Sequence, residues 1–496
     1  MSTTTEHSRT APSAGAREPR PAFGTLFMLD VWERFGFYTL TAVLVLYAVA
    51  PAAQGGLGWP VADAAALFSV WLALTFMFAL PGGWLTDRVL GARRALLLGG
   101  GLVMAGQLTL ALVPRPGNLA GLLVVALGTG LYKPSHQTLF TLVVPGRSRR
   151  EAGISLLYVG IQLSALIAPL VAGYLGERVD WRLAFGSAAA AMAIGTVTLL
   201  VASRSLRTAG MSPPHRLPRP AARRVLWRGL LIAVATTVIL AVPVATGVLT
   251  MTGLVMIIGL LTVCLPVVTY PLLYRNPGLG QQDRRRLRAF LWVFVGWTVF
   301  WMLVGQDGSV LNLFGQQATD RQVGGFEVPT SWLQSATPLF ILLVAPVFAW
   351  LLPRVGRGTP TAGPVKLATG LFIAGGSFLL MAVAAVLAAD GTKVSPLWLL
   401  VVYLLHACGE LIMAAVGVAA VADALPPAYM SRMIGMMWVF AALGGGLGSQ
   451  VVRLSVVLPL PVYFAGFGVL VLGMGCLVHA RRRVISEAMA ERKDVP

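Results

Sequence analysis

Residues 82–94 read Gly82-Gly83-Trp84-Leu85-Thr86-Asp87-Arg88-Val89-Leu90-Gly91-Ala92-Arg93-Arg94. This glycine-rich, charged connection joins two apolar segments, 61–86 and 93–113. Glycines let helices approach each other closely, and Asp87 with Arg88 and Arg93 can bridge helix ends where an interface opens and closes. A solvated basic turn is the alternative, because charged loops also satisfy membrane topology. The stretch indicates a conformational-gating loop in a protein built from apolar helices.

The composition is typical of a membrane protein. Of the 496 residues, 57% are hydrophobic and only 11% are charged, and the mean hydropathy is +0.78. Soluble domains carry about 25% charged residues, so this chain lacks the side chains for a water-exposed surface. A helix needs about 20 apolar residues to cross a bilayer. Fourteen such blocks occur, near 23–50, 61–86, 93–113, 118–143, 152–176, 181–203, 229–247, 251–272, 288–316, 328–353, 364–389, 395–424, 429–452 and 457–480.

The blocks form two groups of six with two extra blocks between them. Six plus six helices suit a transporter that rocks around a site between its halves, and the 82–94 stretch resembles the loop signature of the major facilitator superfamily. We therefore predict an all-α membrane protein with the major-facilitator fold, two six-helix bundles and two inserted helices. The inserted pair has no charged residue and is expected outside the central path. The predicted parts are a disordered cytoplasmic tail (1–22), an N-terminal bundle (23–203), a linker with the inserted helices (204–287), a C-terminal bundle (288–480) and a cytoplasmic tail (481–496).

The net charge of +19 follows the topology. Basic clusters such as 284–288 and 481–483 fall in alternate connections between the blocks. Cytoplasmic loops carry the excess of lysine and arginine, so this alternation predicts that both termini are cytoplasmic. We expect no nucleic-acid partner, because basic charge without a binding motif is a weak signal. The first 20 residues show no secretory signal, which needs a short apolar core and a cleavage site.

The three cysteines, Cys264, Cys408 and Cys476, lie in apolar blocks without metal or disulfide spacing. We expect no metal and no cofactor. An intramembrane metalloprotease would need His-Glu-x-x-His and a serine hydrolase would need Gly-x-Ser-x-Gly. Neither motif occurs in the sequence. An enzyme is therefore not predicted, and a receptor without transport would not need ionisable groups in both halves of the membrane region.

The first apolar block carries Asp30-Val31-Trp32-Glu33-Arg34-Phe35-Gly36-Phe37-Tyr38. Asp30, Glu33 and Arg34 share one face of a helix. Ionisable groups at membrane depth are costly unless they pair and face a cavity. A carboxylate stays ionised beside an arginine and gains proton affinity when the two separate in an apolar site. The motif predicts a proton switch, and a static ion pair between helices is the alternative.

This stretch resembles the Glu-x-x-Glu-Arg-Phe motif of the proton-dependent oligopeptide transporter family, with Asp30 in place of the first glutamate. Further landmarks of that family occur in family order in both halves of the chain, and the inserted helices stand where bacterial members carry them. The matching stretches are Gly128-Thr129-Gly130-Leu131-Tyr132-Lys133-Pro134, Leu157-Tyr158-Val159-Gly160-Ile161-Gln162-Leu163-Ser164-Ala165, Phe300-Trp301 with Gln306, Trp332-Leu333-Gln334-Ser335, Gly409-Glu410-Leu411 and Gly435-Met436-Met437-Trp438.

The resemblance implies a proton-coupled symporter for di- and tripeptides in a bacterial inner membrane, driven by the proton gradient and acting as a monomer in the lipid bilayer. Lys133 and Arg34 would bind the carboxylate of a peptide and Glu410 its amino end. A zwitterion independently requires a cation and an anion on opposite walls of a cavity. The predicted proton-coupling residues are Asp30, Glu33, Arg34 and Glu410. The predicted substrate-binding residues are Arg34, Tyr38, Lys133, Gln162, Trp301, Glu410 and Trp438.

Four further residues are candidates with a structural alternative. His136 and His406 could relay protons, or each could be a satisfied polar group in a helix. Trp71 could line a side-chain pocket together with Trp301 and Trp438, or it could pack in the core. Asp307 could serve as a carboxylate of the seventh block of the twelve.

Departures from the family pattern concern the substrate. Thr41 stands where many peptide-transporting members have a basic residue, and Gly305 stands where the family has a carboxylate. Asp307 lies two residues further on, about 200° round a regular helix, so it is not a simple replacement. Lys133 is then either unpaired or paired with Asp30, Glu33 or Glu410. A modified peptide, a metabolite or a drug-like compound becomes a credible substrate, and a proton-coupled exporter of such a compound is the alternative function.

Overall fold

Apolar helices dominate the computed structural model. The structure describes residues 20–489 except 116, 145–146, 203–205, 207, 214–215, 219, 230, 232–234, 236–249, 357–358, 360 and 424–429. The first bundle contains α1 (Arg20–Val49), α2 (Val61–Met77), α3 (Ala79–Leu85), α4 (Ala92–Leu112), α5 (Ala120–Val143), α6 (Arg147–Tyr174) and α7 (Trp181–Val201). One inserted helix follows, α8 (Met251–Tyr274). The other predicted inserted helix, 229–247, lies outside the described residues apart from 229, 231 and 235.

The second bundle begins with a broken helix, α9 (Gln281–Val304) and α10 (Val310–Gln317). After it come α11 (Ala336–Leu351), α12 (Ala362–Leu387), α13 (Leu397–Asp423), α14 (Met430–Val451), α15 (Leu454–Val457), α16 (Leu460–Ala480) and α17 (Arg482–Met489). A hairpin of β1 (Gln322–Val323) and β2 (Phe326–Glu327) precedes a 3-10 helix at Thr330–Ser335. The hairpin turns at Gly324 and Gly325, whose φ angles of 55° and 83° favour glycine.

Eleven helices of the described chain are long and apolar enough to cross a membrane. Two more, α1 and α5, have 30 and 24 residues, which is about 45 Å and 36 Å at 1.5 Å per residue. Charged residues near the middle of α1, and Lys133 with its polar neighbours in α5, lower their hydropathy. The chain is thus a multi-pass membrane protein. The prediction of 14 spans still depends on 229–247.

Prolines explain where some helices break. The predicted second span is divided at Phe78 into α2 and α3. Pro81 has no N–H to bond the carbonyl of Met77 and its ring crowds that carbonyl, which interrupts the regular helix there. After α3, residues Thr86–Leu90 form a π-helical turn that ends at Gly91. Gly91 has a φ of 77°, and a Cβ there would lie 2.9 Å from the carbonyl oxygen of Gly210.

Glycine-lined contacts hold each bundle together. In the first bundle α4 packs on α5, where a Cβ on Gly106 would lie 2.7 Å from the carbonyl oxygen of Gly121. In the second bundle α12 packs on α16, where a Cβ on Gly468 would lie 2.8 Å from the carbonyl oxygen of Gly375. Small residues let helix backbones approach closely in membranes. Both bundles therefore use the same packing device.

The inserted helix α8 lies against the joint between the two bundles. It packs on α2 and α14. A Cβ on Gly259 would meet the Ser449 hydroxyl oxygen at 2.5 Å. Several of its apolar residues, including Leu261, Val267 and Leu272, are exposed, and only 19% of its apolar stretch is buried. This position agrees with the expectation that the inserted pair lies outside the central path, for the described member of the pair.

Candidate functional site

The charged face of α1 contains a closed ion pair. The guanidinium of Arg34 donates to both carboxylate oxygens of Glu33, with Nε–Oε2 and Nη2–Oε1 distances of 2.6 Å and 2.5 Å. Both residues are buried, with exposed fractions of 1% for Glu33 and 3% for Arg34. The guanidinium also lies over the ring of Phe37, 4.4 Å from its centroid. Each of the two charges has its counter-ion in the same turn of α1, which offsets the cost of burying them.

Asp30 faces a histidine from α5 instead of the arginine. Its carboxylate lies 4.0 Å from Nδ1 of His136. The Nε2 atom of His136 is 2.8 Å from the carbonyl oxygen of Leu26. A carbonyl oxygen only accepts, so Nε2 must carry the hydrogen, which leaves Nδ1 directed at Asp30. The structure therefore brings the predicted relay residue next to a predicted proton-coupling carboxylate.

Lys133 in α5 makes no hydrogen bond or ion pair with any part of the chain that the structure describes. Its ammonium group lies over two aromatic rings, 5.4 Å from the centroid of Phe37 and 5.8 Å from that of Phe76. Aromatic faces attract cations but do not replace a counter-ion. Of the two alternatives for Lys133, the structure shows the unpaired one.

Three aromatic side chains from both bundles form one wall beside Lys133. The ring of Phe76 from α2 stacks on Trp438 from α14, with centroids 5.4 Å apart and planes at 17°. The centroid of Trp301 from α9 lies 6.5 Å from that of Phe76. All three side chains are partly exposed. The predicted substrate-binding residues Trp301 and Trp438 thus meet at the joint between the bundles.

Trp71 does not belong to that wall. Only 2% of it is exposed, and its ring packs on Phe37 and Phe68 with centroid distances of 5.4 Å and 6.0 Å. Of the two alternatives for Trp71, the structure shows core packing. The difference arises because α2 turns residue 71 towards α1, whereas Phe76 faces the second bundle.

Glu410 in α13 is partly exposed and has no hydrogen bond or ion pair among the described residues. Its carboxylate acts electrostatically on the hydroxyl groups of Tyr38 and Tyr158, which belong to the first bundle. Gln162, one turn after Tyr158, is 4% exposed. The Tyr158 hydroxyl approaches the Gln162 amide without reaching the geometry of a full hydrogen bond. Glu410 therefore faces the first bundle across the joint.

Asp307 lies in the break between α9 and α10. The predicted single span 288–316 was wrong in this respect, because α9 ends at Val304 and residues 305–309 form turns. The angular offset of 200° for Asp307 was wrong for the same reason. The Asp307 carboxylate lies 2.8 Å from Nδ1 of His406. Its partner is thus His406 of α13 and not Lys133.

A cluster of polar contacts joins the two bundles at one end, and the sequence did not predict it. The Glu177 carboxylate accepts from the backbone N–H of Thr330 at 2.7 Å and of Ser331 at 2.9 Å, and from the Ser331 hydroxyl at 2.6 Å. These N–H groups begin the 3-10 helix, where a negative charge is favoured. Beside them Glu327 binds Arg321 at 2.7 Å and Arg178 at 3.4 Å. We call these six residues the interhalf cluster.

The loop at 82–94 lies at the opposite end and contacts α5 of its own bundle and the connection that follows α7. The backbone N–H of Arg93 donates to the carbonyl of Gly210 at 2.9 Å, and that of Leu217 donates to the carbonyl of Arg88 at 3.0 Å. The Thr86 hydroxyl lies 2.8 Å from that of Ser135 in α5. The connection after α7 thus covers the loop. The gating role of Asp87, Arg88 and Arg93 stays a prediction.

Two helical bundles with charged and aromatic side chains gathered at their joint define a membrane transporter. The sequence model of the POT family matches residues 93–465. The chain belongs to the POT family, and it is a transporter and not an enzyme.

Similar proteins cover nearly the whole chain. It is 33% identical over 478 residues to "Uncharacterized transporter YclF" of Bacillus subtilis, which covers 95% of each chain. A crystal structure of the peptide transporter POT in complex with sulfate has a TM-score of 0.88 and 34% identity, and covers 94% of this chain and 95% of that one. A POT family transporter in complex with 5-aminolevulinic acid has a TM-score of 0.87 and 28% identity, and covers 93% and 96%.

Proposed function

We propose that the protein imports di- and tripeptides or peptide-like solutes together with protons by alternating access. The observation that carries the proposal is a pair of opposite charges that have no partner among the described residues, Lys133 in the first bundle and Glu410 in the second. Each is partly exposed at the joint between the bundles. A zwitterionic peptide presents a carboxylate and an ammonium group, and these would complete both ion pairs at once.

The substrate class is supported by chemistry and by relatives. Ions in an apolar site are stabilised strongly only when they are paired, so a substrate with both charges binds better than one with either. One solved relative is a peptide transporter, and another binds 5-aminolevulinic acid, which carries an amine and a carboxylate. The Phe76, Trp301 and Trp438 wall offers apolar surface to the side chains of such a substrate.

Proton coupling is proposed from the charged face of α1. Glu33 is held by Arg34, and Asp30 faces His136. If the substrate carboxylate draws Arg34 away, Glu33 is left in an apolar environment and gains proton affinity. The exchange of partners would couple proton binding to substrate binding. Tyr38 and Gln162 lie beside this face and complete the proposed site.

The direction of opening follows from the proposed topology. If both termini are cytoplasmic, the loop at 82–94 faces the cytoplasm and the interhalf cluster faces outward. The interhalf cluster closes the outer end, so this conformation would be open inward. The proposed location is the bacterial inner membrane.

The test is uptake of labelled dialanine into proteoliposomes, driven by an imposed proton gradient. We expect accumulation with an acid exterior, and its loss in Glu33→Gln and in Lys133→Ala. Lys393→Ala, an exposed lysine of an end loop, serves as the matched control and should transport normally. Absence of uptake by folded wild-type protein would reject the peptide proposal, and a thermal-shift screen of modified peptides and drug-like compounds would then test the exporter alternative.

A further inference from the structure

The pair formed by Asp307 and His406 connects the helix break to α13. Asp307 lies in the turns at 305–309, and its side chain is 18% exposed. His406 is fully buried, with an exposed fraction of 0%, and the ring of Phe378 stacks on it with a centroid distance of 6.0 Å. A buried imidazole beside a carboxylate is costly unless its hydrogen bonds are complete. The contacts of both ring nitrogens are therefore informative.

Both nitrogens of His406 have partners, and one partner can reverse its role. Nδ1 lies 2.8 Å from the Asp307 carboxylate, and Nε2 lies 2.9 Å from the Ser377 hydroxyl. The same hydroxyl is 2.7 Å from the carbonyl of Ala374, to which it can donate its single hydrogen. In that arrangement the Ser377 oxygen accepts from Nε2, and His406 carries a hydrogen on both nitrogens.

Loss of one proton leaves both hydrogen bonds of the His406 imidazole in place. The proton leaves Nε2 for water, and the Ser377 hydroxyl turns to donate to the bare Nε2 while Nδ1 still donates to Asp307. In this step the Ser377 hydroxyl gives up its hydrogen bond to the carbonyl of Ala374, and both nitrogens of His406 keep a hydrogen-bond partner. Both protonation states thus satisfy the buried imidazole, which is the property that a proton-binding site needs and that a purely structural histidine does not.

The surroundings link this pair to the joint between the bundles. Glu410 follows His406 by one turn of α13, and the two act on each other electrostatically, as do Glu410 and Asp307. Tyr403 is a further titratable group that acts on Asp307. From α16, the Tyr463 hydroxyl donates to the Gln306 side chain at 3.1 Å, next to Asp307. After the break, Asn312 of α10 donates to the carbonyl of Ala42 in α1 at 2.9 Å.

We propose that Asp307 and His406 form a second proton-binding site, in the second bundle, whose charge state controls the break at 305–309 and the field at Glu410. The inference rests on the proton-coupled transport proposed above. Protonation cancels the net negative charge of the pair and weakens its repulsion of Glu410. Deprotonation restores that repulsion. The break carries the change to α10, which contacts the first bundle.

The direct test is nitrogen-15 NMR of the histidines in purified protein, with His406→Gln used to assign the signal. We expect the Nε2 signal to change from the protonated to the neutral position as the pH is raised. Asp307→Asn removes the counter-ion, so a smaller imidazolium signal is expected at the same pH. A His406 signal that stays neutral throughout, or that Asp307→Asn leaves unchanged, would overturn the inference without reference to any substrate.

The transport test compares uphill dialanine uptake with exchange of labelled for unlabelled dialanine at equal pH. Exchange requires no net proton movement, so Asp307→Asn and His406→Gln should lose about tenfold or more of uphill accumulation and keep exchange within about threefold. Asp283→Asn, which removes a partly exposed carboxylate at the start of α9, is the control and should change neither. If wild-type protein handles no dialanine, the proposed function fails and the NMR result still stands. If it does and the variants accumulate normally, this inference fails alone.

Discussion

The two bundles hold their buried charges in different ways. In the first bundle Arg34 is satisfied by its neighbour Glu33, and only Lys133 lacks a partner among the described residues. In the second bundle Asp307 is satisfied by His406 from another helix, and only Glu410 lacks one. Within the described residues, each bundle therefore presents one unpaired, partly buried charge to the other, and the two have opposite signs. The joint therefore holds two opposite charges that have no counter-ion among the described residues, and this difference from the paired charges of Arg34 and Asp307 underlies the proposed binding of a zwitterion.

The largest expected effect comes from removing the two unpaired charges, Lys133 and Glu410, one at a time. Removal of one partner of a buried, hydrogen-bonded charge pair costs about 2–5 kcal/mol, or about 30-fold or more in affinity. Wild-type protein should bind dialanine more tightly than its C-terminal amide or its N-acetyl form. Lys133→Ala should lose the preference over the amide alone, and Glu410→Gln the preference over the acetyl form alone. Titration calorimetry measures the affinities of the wild-type protein and the two variants for each of the three ligands.

Lys393→Ala is again the control, because it removes an exposed lysine far from the joint. Equal loss of both preferences in both variants would contradict the assignment of one charge to each end of the peptide. Unchanged preferences would show that neither residue contacts the termini.

A smaller effect is expected at the interhalf cluster, which holds the bundles together at the end away from 82–94. Hydrogen bonds to a charged group contribute about 1.5–3 kcal/mol each, so Glu177→Gln should favour opening at this end. We expect about tenfold faster maleimide labelling of Gln334→Cys in a background without Cys264, Cys408 and Cys476. Gln334 is partly buried below the cluster.

The matched control for the interhalf cluster is Asp180→Asn. Asp180 belongs to the same connection but caps α7 of its own bundle through the N–H of Arg182 at 2.8 Å. Labelling should therefore stay near the wild-type rate in this variant. Equal acceleration in both variants would mean that the connection, and not its contact with the second bundle, limits opening.

Hydropathy and charge alternation predicted the helices because the bilayer imposes length and polarity on each segment separately. The break after α9 was not predicted, because Gly305, Asp307 and Gly308 stand in a continuous apolar block. Its turns depend on contacts from distant helices, including His406 and Tyr463. Local pattern contains no information about such partners.

The candidate site was predicted in part for the same reason. The face shared by Asp30, Glu33 and Arg34 follows from helical spacing, but the choice of Glu33 as partner of Arg34 depends on rotamers. Glu177 was not predicted, because no local motif surrounds it and its partner Ser331 lies 154 residues away. Trp71 and Trp301 both stand in apolar blocks, so the sequence does not distinguish them. The packing of α2 on α1 places Trp71 in the core, whereas Trp301 lies at the joint between the bundles.

The smallest expected effect concerns the glycine contacts between helices, a feature that the two bundles share. In α4, a Cβ on Gly106 would meet the backbone of α5 at 2.7 Å, whereas a Cβ on Gly101 would meet nothing within 4 Å. In α16, Gly468 and Gly473 differ in the same way, with 2.8 Å to Gly375 against nothing. Overpacking costs about 1–3 kcal/mol, so Gly106→Ala and Gly468→Ala should each lower Tm by several degrees in detergent. Gly101→Ala and Gly473→Ala should leave Tm unchanged or raise it, because alanine favours a helix over glycine by about 1 kcal/mol. A loss confined to one bundle would show that the shared packing device stabilises only that half, and the bundles would then differ in packing as well as in charge.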